Sequence, residues 1–207
     1  MTSRTMIGRL LILGPIGMMA CWLGWSMVIG NPDAGDHAAM IAAVSQNPES
    51  TKWLLGLAGL FMFFMVGGLS GLRNTMTGGL GSSYAAMGVL IIIMSMAFGL
   101  GEIALTIVAG DVGSAGNPAA ATTIYLAGNG IGAFSSAGIF LGFAALGIGV
   151  YIQKNFNTVI ACLLTVTSLF GLVMSLYDYG SALVAVGFIG MTISVVSMGV
   201  STLRSSE

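Results

Sequence analysis

Glu102 is the one carboxyl of this sequence that falls inside a long apolar segment. A charged carboxylate placed in hydrocarbon costs about 2.5–3.5 kcal/mol on insertion scales, so such a residue needs a partner or a task. Its possible tasks are a proton or cation site and a polar anchor for a ligand. The plainer alternatives are a structural hydrogen bond between helices and a side chain near enough to an interface to stay wet. Two partners are expected for it. Asn129 lies at a comparable depth in the next apolar segment, and Lys52 can snorkel down from the end of an earlier one.

Asn129 sits in Gly128-Asn129-Gly130-Ile131-Gly132. A glycine-rich run of this kind can unwind and expose backbone carbonyls, as in transporters with broken helices. It also forms small-xxx-small pairs, Gly128/Gly132 and, further on, Gly138/Gly142, with Gly67/Gly71 elsewhere. Such pairs let helices approach closely, and packing is the expectation adopted. The run is no dinucleotide fingerprint, because no strand precedes it.

Other chemistry is poorly supplied. His37 is the lone histidine, with Asp33, Asp36 and Glu49 nearby, and no second His or Cys completes a metal site. Asp33 or Asp36 is expected to cap a short helix, 37–45, whose Met40, Ile41 and Val44 would lie on the outer membrane surface. The 15 methionines lack Cys or His partners and read as packing filler. A single histidine excludes the usual hydrolase constellations, and neither Lys52 nor Lys154 lies mid-segment for a Schiff base. No catalytic residue, metal ligand or cofactor is assigned, and an intramembrane enzyme is disfavoured.

The elements that hold these residues follow from composition. Of 207 residues, 56% are hydrophobic and 6% charged, against about 25% charged in soluble domains. Only lipid is a natural solvent for such a chain, and there backbone groups must pair within helices or a closed barrel. The apolar runs are continuous and too long for the alternation of barrel strands. A net charge of −1 is too small to suggest nucleic acid or a strongly charged partner, there is no basic tract, and no nucleic-acid partner is expected.

The expected fold is therefore all-α, a single integral membrane domain over 1–207 with six transmembrane helices. They are placed at about 6–29, 52–72, 82–109, 119–152, 157–177 and 181–203. Pro15 should kink the first. Arg4 and Arg9 ahead of Leu10–Ala20 mimic a signal peptide, and Met18-Met19-Ala20-Cys21 mimics a lipoprotein box. The apolar run continues to Ile29, however, and the first helix is expected to stay uncleaved. An inverted three-plus-three repeat is left open.

Basic residues set the orientation. Arg4, Arg9, Arg73, Lys154 and Arg204 all fall on one side of a six-helix layout, with Lys52 the exception. Both termini are thus expected in the cytoplasm. Trp25, Trp53, Tyr125, Tyr177 and Tyr179 would form the outer aromatic belt, and Tyr84, Tyr151 and Phe156 the inner one. At about 1.5 Å per residue, Cys21 and Cys162 would differ by ~15 Å in depth, beyond the ~7 Å Cα reach of a disulfide.

Arg9-Leu10-Leu11 at the start of the first helix, Ala42-Ala43-Val44-Ser45-Gln46-Asn47-Pro48-Glu49 before the second, and the order of six helices carry a resemblance. The chain resembles an uncharacterised family of six-helix prokaryotic membrane proteins, a resemblance that implies the fold and no catalytic residues. The expected function is that of a structural or accessory subunit of a membrane complex in the cell membrane. It would contact the lipid bilayer and other subunits, or further copies of itself, through glycine-rich helix faces. The alternative is a small transporter or proton- or cation-coupled channel using Glu102.

Overall fold

Five of the seven described helices begin at a side-chain cap. The computed structural model describes residues 3–33 and 35–205, and among these there are seven α-helices and no strand. Ser3 caps α1 (Arg4–Val28), Asp36 caps α2 (His37–Gln46), and Pro48 takes the first turn of α3 (Pro48–Thr75). Gly78 leads into α4 (Gly79–Ser114) at φ 76, a left-handed backbone that only glycine adopts freely. Asn117, Asn157 and Ser181 cap α5 (Pro118–Gln153), α6 (Thr158–Tyr177) and α7 (Ala182–Arg204). All but α2 are long and apolar enough to cross a membrane, so the fold is an all-α bundle of six membrane-length helices. The helix of α1 continues through Pro15.

The helices pack in chain order, α1 on α3, α3 on α4, α4 on α5, α5 on α6 and α6 on α7, and α7 returns to α1 to close the ring. Gly8 and Gly199 make that closure: a Cβ on either would stand 2.9 Å from the other's carbonyl oxygen. The ring has two ends. One carries the chain termini with Arg4, Arg9, Arg73, Lys154 and Arg204, and the other carries α2 with Asp33, Asp36, Glu49, Asp111 and Asp178.

The α4–α5 hairpin is the tightest seam. Gly81 rests on Gly149 and Gln153, Gly88 on Gly142 and Leu146, and Gly138 on Ser95. Gly128, Gly132, Gly138 and Gly142 all face α4, while Gly67 and Gly71 face Leu10 and Ile7 of α1. Both α4 and α5 have 36 residues, about 54 Å at 1.5 Å per residue and well beyond the ~30 Å of a hydrocarbon core. The hairpin therefore overruns the bundle at the α2 end.

That overrun explains where α2 goes. Sequence reasoning expected Met40, Ile41 and Val44 on the membrane surface. They are instead buried, packed with Trp25, Ile29, Leu55, Ala109, Ala121 and Tyr125. The long hairpin offers α2 a protein surface, and its apolar face takes that in preference to lipid. Two aromatics expected in the outer belt change role for the same reason. Trp25 is buried and donates from Nε1 to Thr51 Oγ1 at 3.1 Å, and Tyr125 is buried beneath α2. Trp53 and Tyr177 are exposed.

Candidate functional site: a polar stripe around Glu102

One face of α5 positions the site. Tyr125, Asn129, Gly132 and Ser136 recur at helical spacing and look toward α4 and the α6–α7 turn. Gly132 is the niche for Glu102. A Cβ there would fall on the Glu102 carboxylate, so the absence of a side chain lets the carboxyl group lie flat against the α5 backbone. Glu102 stands twelve residues before the end of α4, in the half of the bundle that holds α2.

Its hydrogen-bond partner comes from the α6–α7 turn. Tyr179 donates from its hydroxyl to Glu102 Oε1 at 2.8 Å, and the Ser136 hydroxyl approaches the same phenol. Tyr179 belongs to the four-residue connection 178–181, which folds inward. Burial first, and then the Glu102 charge, hold its phenol protonated well above the usual tyrosine range. It is thus a fixed donor at any physiological pH. On the other side of Glu102, Tyr125 lies beside Asn129, one turn along α5, and feels the Glu102 charge. The His37 ring lies 6.2 Å from that of Tyr125, and its Nδ1 is buried without a hydrogen-bond partner.

The three residues singled out from the sequence therefore separate. Glu102 and Asn129 share one cluster, joined through Tyr125. Lys52 is exposed at the start of α3, and the electrostatic environment of Glu102 contains no contribution from it. Sequence reasoning placed Tyr179 and Tyr125 in the aromatic belt and missed them as site residues. The signal available for Tyr179 was the shortness of its turn, Asp178-Tyr179-Gly180, which leaves an aromatic at the bundle mouth little choice but to lie across it. The Gly128–Gly132 run stays helical throughout α5, so it contributes a niche and no unwound carbonyls.

Among the described residues no group of three or more His, Cys, Asp or Glu stands close enough to hold a metal. Cys21 and Cys162 are free thiols on α1 and α6. Beyond Ser136 the polar stripe ends on Phe140 and Phe143, both fully buried. From there to the chain-terminal end, the buried hydroxyls of Ser194 and Thr202 are turned back onto carbonyls of their own helix. What this arrangement can do chemically is hold a proton or a positive charge in one half of the bundle.

Compared with family models, curated proteins and solved structures, the chain matches none. The resemblance carried by Arg9-Leu10-Leu11 and the 42–49 segment gains no support from them.

Proposed function

We propose that the chain is a non-enzymatic, multi-pass protein of the cell membrane that serves as a structural or accessory subunit of a membrane complex. The observation that carries this reading is the glycine-tight closure of the ring in the half toward the chain termini. There Gly8 meets Gly199 and Gly81 meets Gly149, and the Ser194 and Thr202 hydroxyls are returned to their own helices, while Ser168 Oγ and Thr192 Oγ1 are buried without a partner. A bundle closed by such tight glycine contacts suits a scaffold. Its outward faces carry exposed Phe63, Phe98 and Phe134, which fit lipid tails or the apolar faces of neighbouring subunits or further copies. Mild solubilisation should bring down stoichiometric membrane partners. A flux in proteoliposomes that Glu102→Gln abolishes would replace this reading with that of a small transporter.

The proposed orientation has both termini in the cytoplasm, because five of the six basic residues gather at the terminal end. In a background lacking Cys21 and Cys162, Asp111→Cys should react with an impermeant maleimide on intact cells. Asn74→Cys should react only after the membrane is opened. Equal reactivity of the two sites would overturn the topology.

A further inference from the structure

We propose that the stripe around Glu102 is a binding site for one small monovalent cation, held by oxygen atoms and entered from the α2 end of the bundle. The proposal does not depend on the subunit reading above.

The first ground is charge. Among the described residues Glu102 carries the one carboxylate turned into the bundle, where it is partly buried, and the groups around it are neutral: two phenols, a carboxamide and a serine hydroxyl. No basic side chain acts on it. Charges withdrawn from water are ordinarily paired or coordinate an ion. One carboxylate balances one positive charge, whereas a divalent ion would need further anionic ligands that the stripe does not supply.

The second ground is unused hydrogen-bonding capacity. Tyr179 occupies Oε1, and no hydrogen bond among the described residues reaches Oε2. Ser175 of α6 is 2% exposed, and its Oγ has no partner, although Ser194, Ser197 and Thr202 all bond back to their own helix. The α5–α6 register places it. Phe140 sits on Gly171, and one turn further along the antiparallel pair Ser175 stands level with Ser136. A buried hydroxyl without a partner costs about 1–3 kcal/mol. An unpartnered oxygen level with the Ser136 hydroxyl, which itself approaches the phenol bonded to Glu102, is one a desolvated cation would satisfy.

The third ground is the donor set. Glu102 Oε2, the Asn129 carbonyl oxygen, the Tyr125 and Ser136 hydroxyls and Ser175 Oγ are hard oxygen donors suited to an alkali cation and poor for a soft metal. The Gly132 niche keeps the carboxylate in place, and Phe140 and Phe143 close the floor.

Sodium is the probe. Thermal unfolding of the full chain in detergent should move up by several degrees between sodium-free and saturating sodium at constant ionic strength. Choline should have no such effect, and Glu102→Gln should abolish the shift. Because that variant could fail to fold, a second measurement uses the unaltered protein. A hydrophobic carbodiimide should modify Glu102, and sodium at ten times its dissociation constant should slow the modification roughly tenfold. Lithium or potassium acting in place of sodium also supports the site and defines its size. Labelling and unfolding indifferent to all three alkali ions, or a sodium shift that survives in Glu102→Gln, would overturn it. Absence of co-purifying partners would leave this result untouched.

Discussion

Gly142→Val should abolish the folded, monodisperse protein in detergent, with a loss of about 3 kcal/mol or more. A Cβ at this position would stand 2.7 Å from the Gly88 carbonyl oxygen, 2.6 Å from Ile92 Cγ1 and 3.0 Å from the Ile92 backbone nitrogen. Two of these three are backbone atoms of α4 and cannot rotate away. The strain cannot stay local either, because the seam runs in one register from Gly81 on Gly149 to Gly128 on Leu105. Moving the helices apart at Gly142 withdraws contacts along the whole hairpin. In lipid, close packing of this kind is itself what holds helices together, since the surrounding tails are as apolar as the side chains. Gly130→Val and Gly56→Val are the controls: nothing lies within 4 Å of either added Cβ, so each should stay within about 0.5 kcal/mol of the parent. Size-exclusion profiles and thermal midpoints decide the matter. A Gly142→Val protein as stable as Gly130→Val would remove the seam from the account of stability.

The contrast between Gly142 and Gly130 also marks what a sequence can disclose. Small-xxx-small spacing identified Gly128/Gly132, Gly138/Gly142 and Gly67/Gly71 as close-packing sites, and all face a neighbouring helix. The number of long helices and their approximate spans were legible for the same kind of reason: hydrocarbon thickness imposes a length and a polarity that composition reveals directly. Direction around the helix axis is a different matter. Trp25 and Trp53 have the same residue type and a similar depth. One is buried against Thr51, and the other is exposed. Only the path of the neighbouring chain separates them.

Glu102 illustrates the limit for the candidate site. That it needed company could be inferred from the cost of a carboxylate in lipid. Its company came from Tyr179, 77 residues away in a turn that folds back into the bundle. Lys52 was a reasonable candidate on depth, but it lies at the exposed start of α3. Asn129 has no hydrogen bond to the carboxylate and lies beside Tyr125, a residue buried with α2 packed over it. The docking of α2 depends in turn on the overrun of α4 and α5, which apolar content alone does not mark.

Phe140→Ala should cost about 3–5 kcal/mol, the range for large-to-small changes at a fully buried aromatic. Phe140 is 0% exposed and lies where α5, α6 and α7 meet. A Cβ on Gly171 would come within 2.5 Å of its ring and one on Gly187 within 2.9 Å, so both glycines exist as room for it. Phe188 packs against the ring at a 47° tilt, with centroids 4.7 Å apart. Removing the ring leaves a void bounded by backbone on two sides, which cannot collapse to fill it. The converse change, Gly171→Val, should destabilise through overlap with the ring. Combined with Phe140→Ala it should restore part of the loss, because the new side chain enters the vacated space. A double-mutant cycle on thermal unfolding should therefore give a favourable coupling of at least about 1 kcal/mol. Strict additivity would mean that the ring and the glycine do not share one slot. That slot lies one helical turn below Ser136, so the same ring that joins three helices also divides the polar half of the bundle from the apolar half. A void there would extend the stripe toward the opposite face, which is why a residue without polar atoms governs how far a charge at Glu102 can reach.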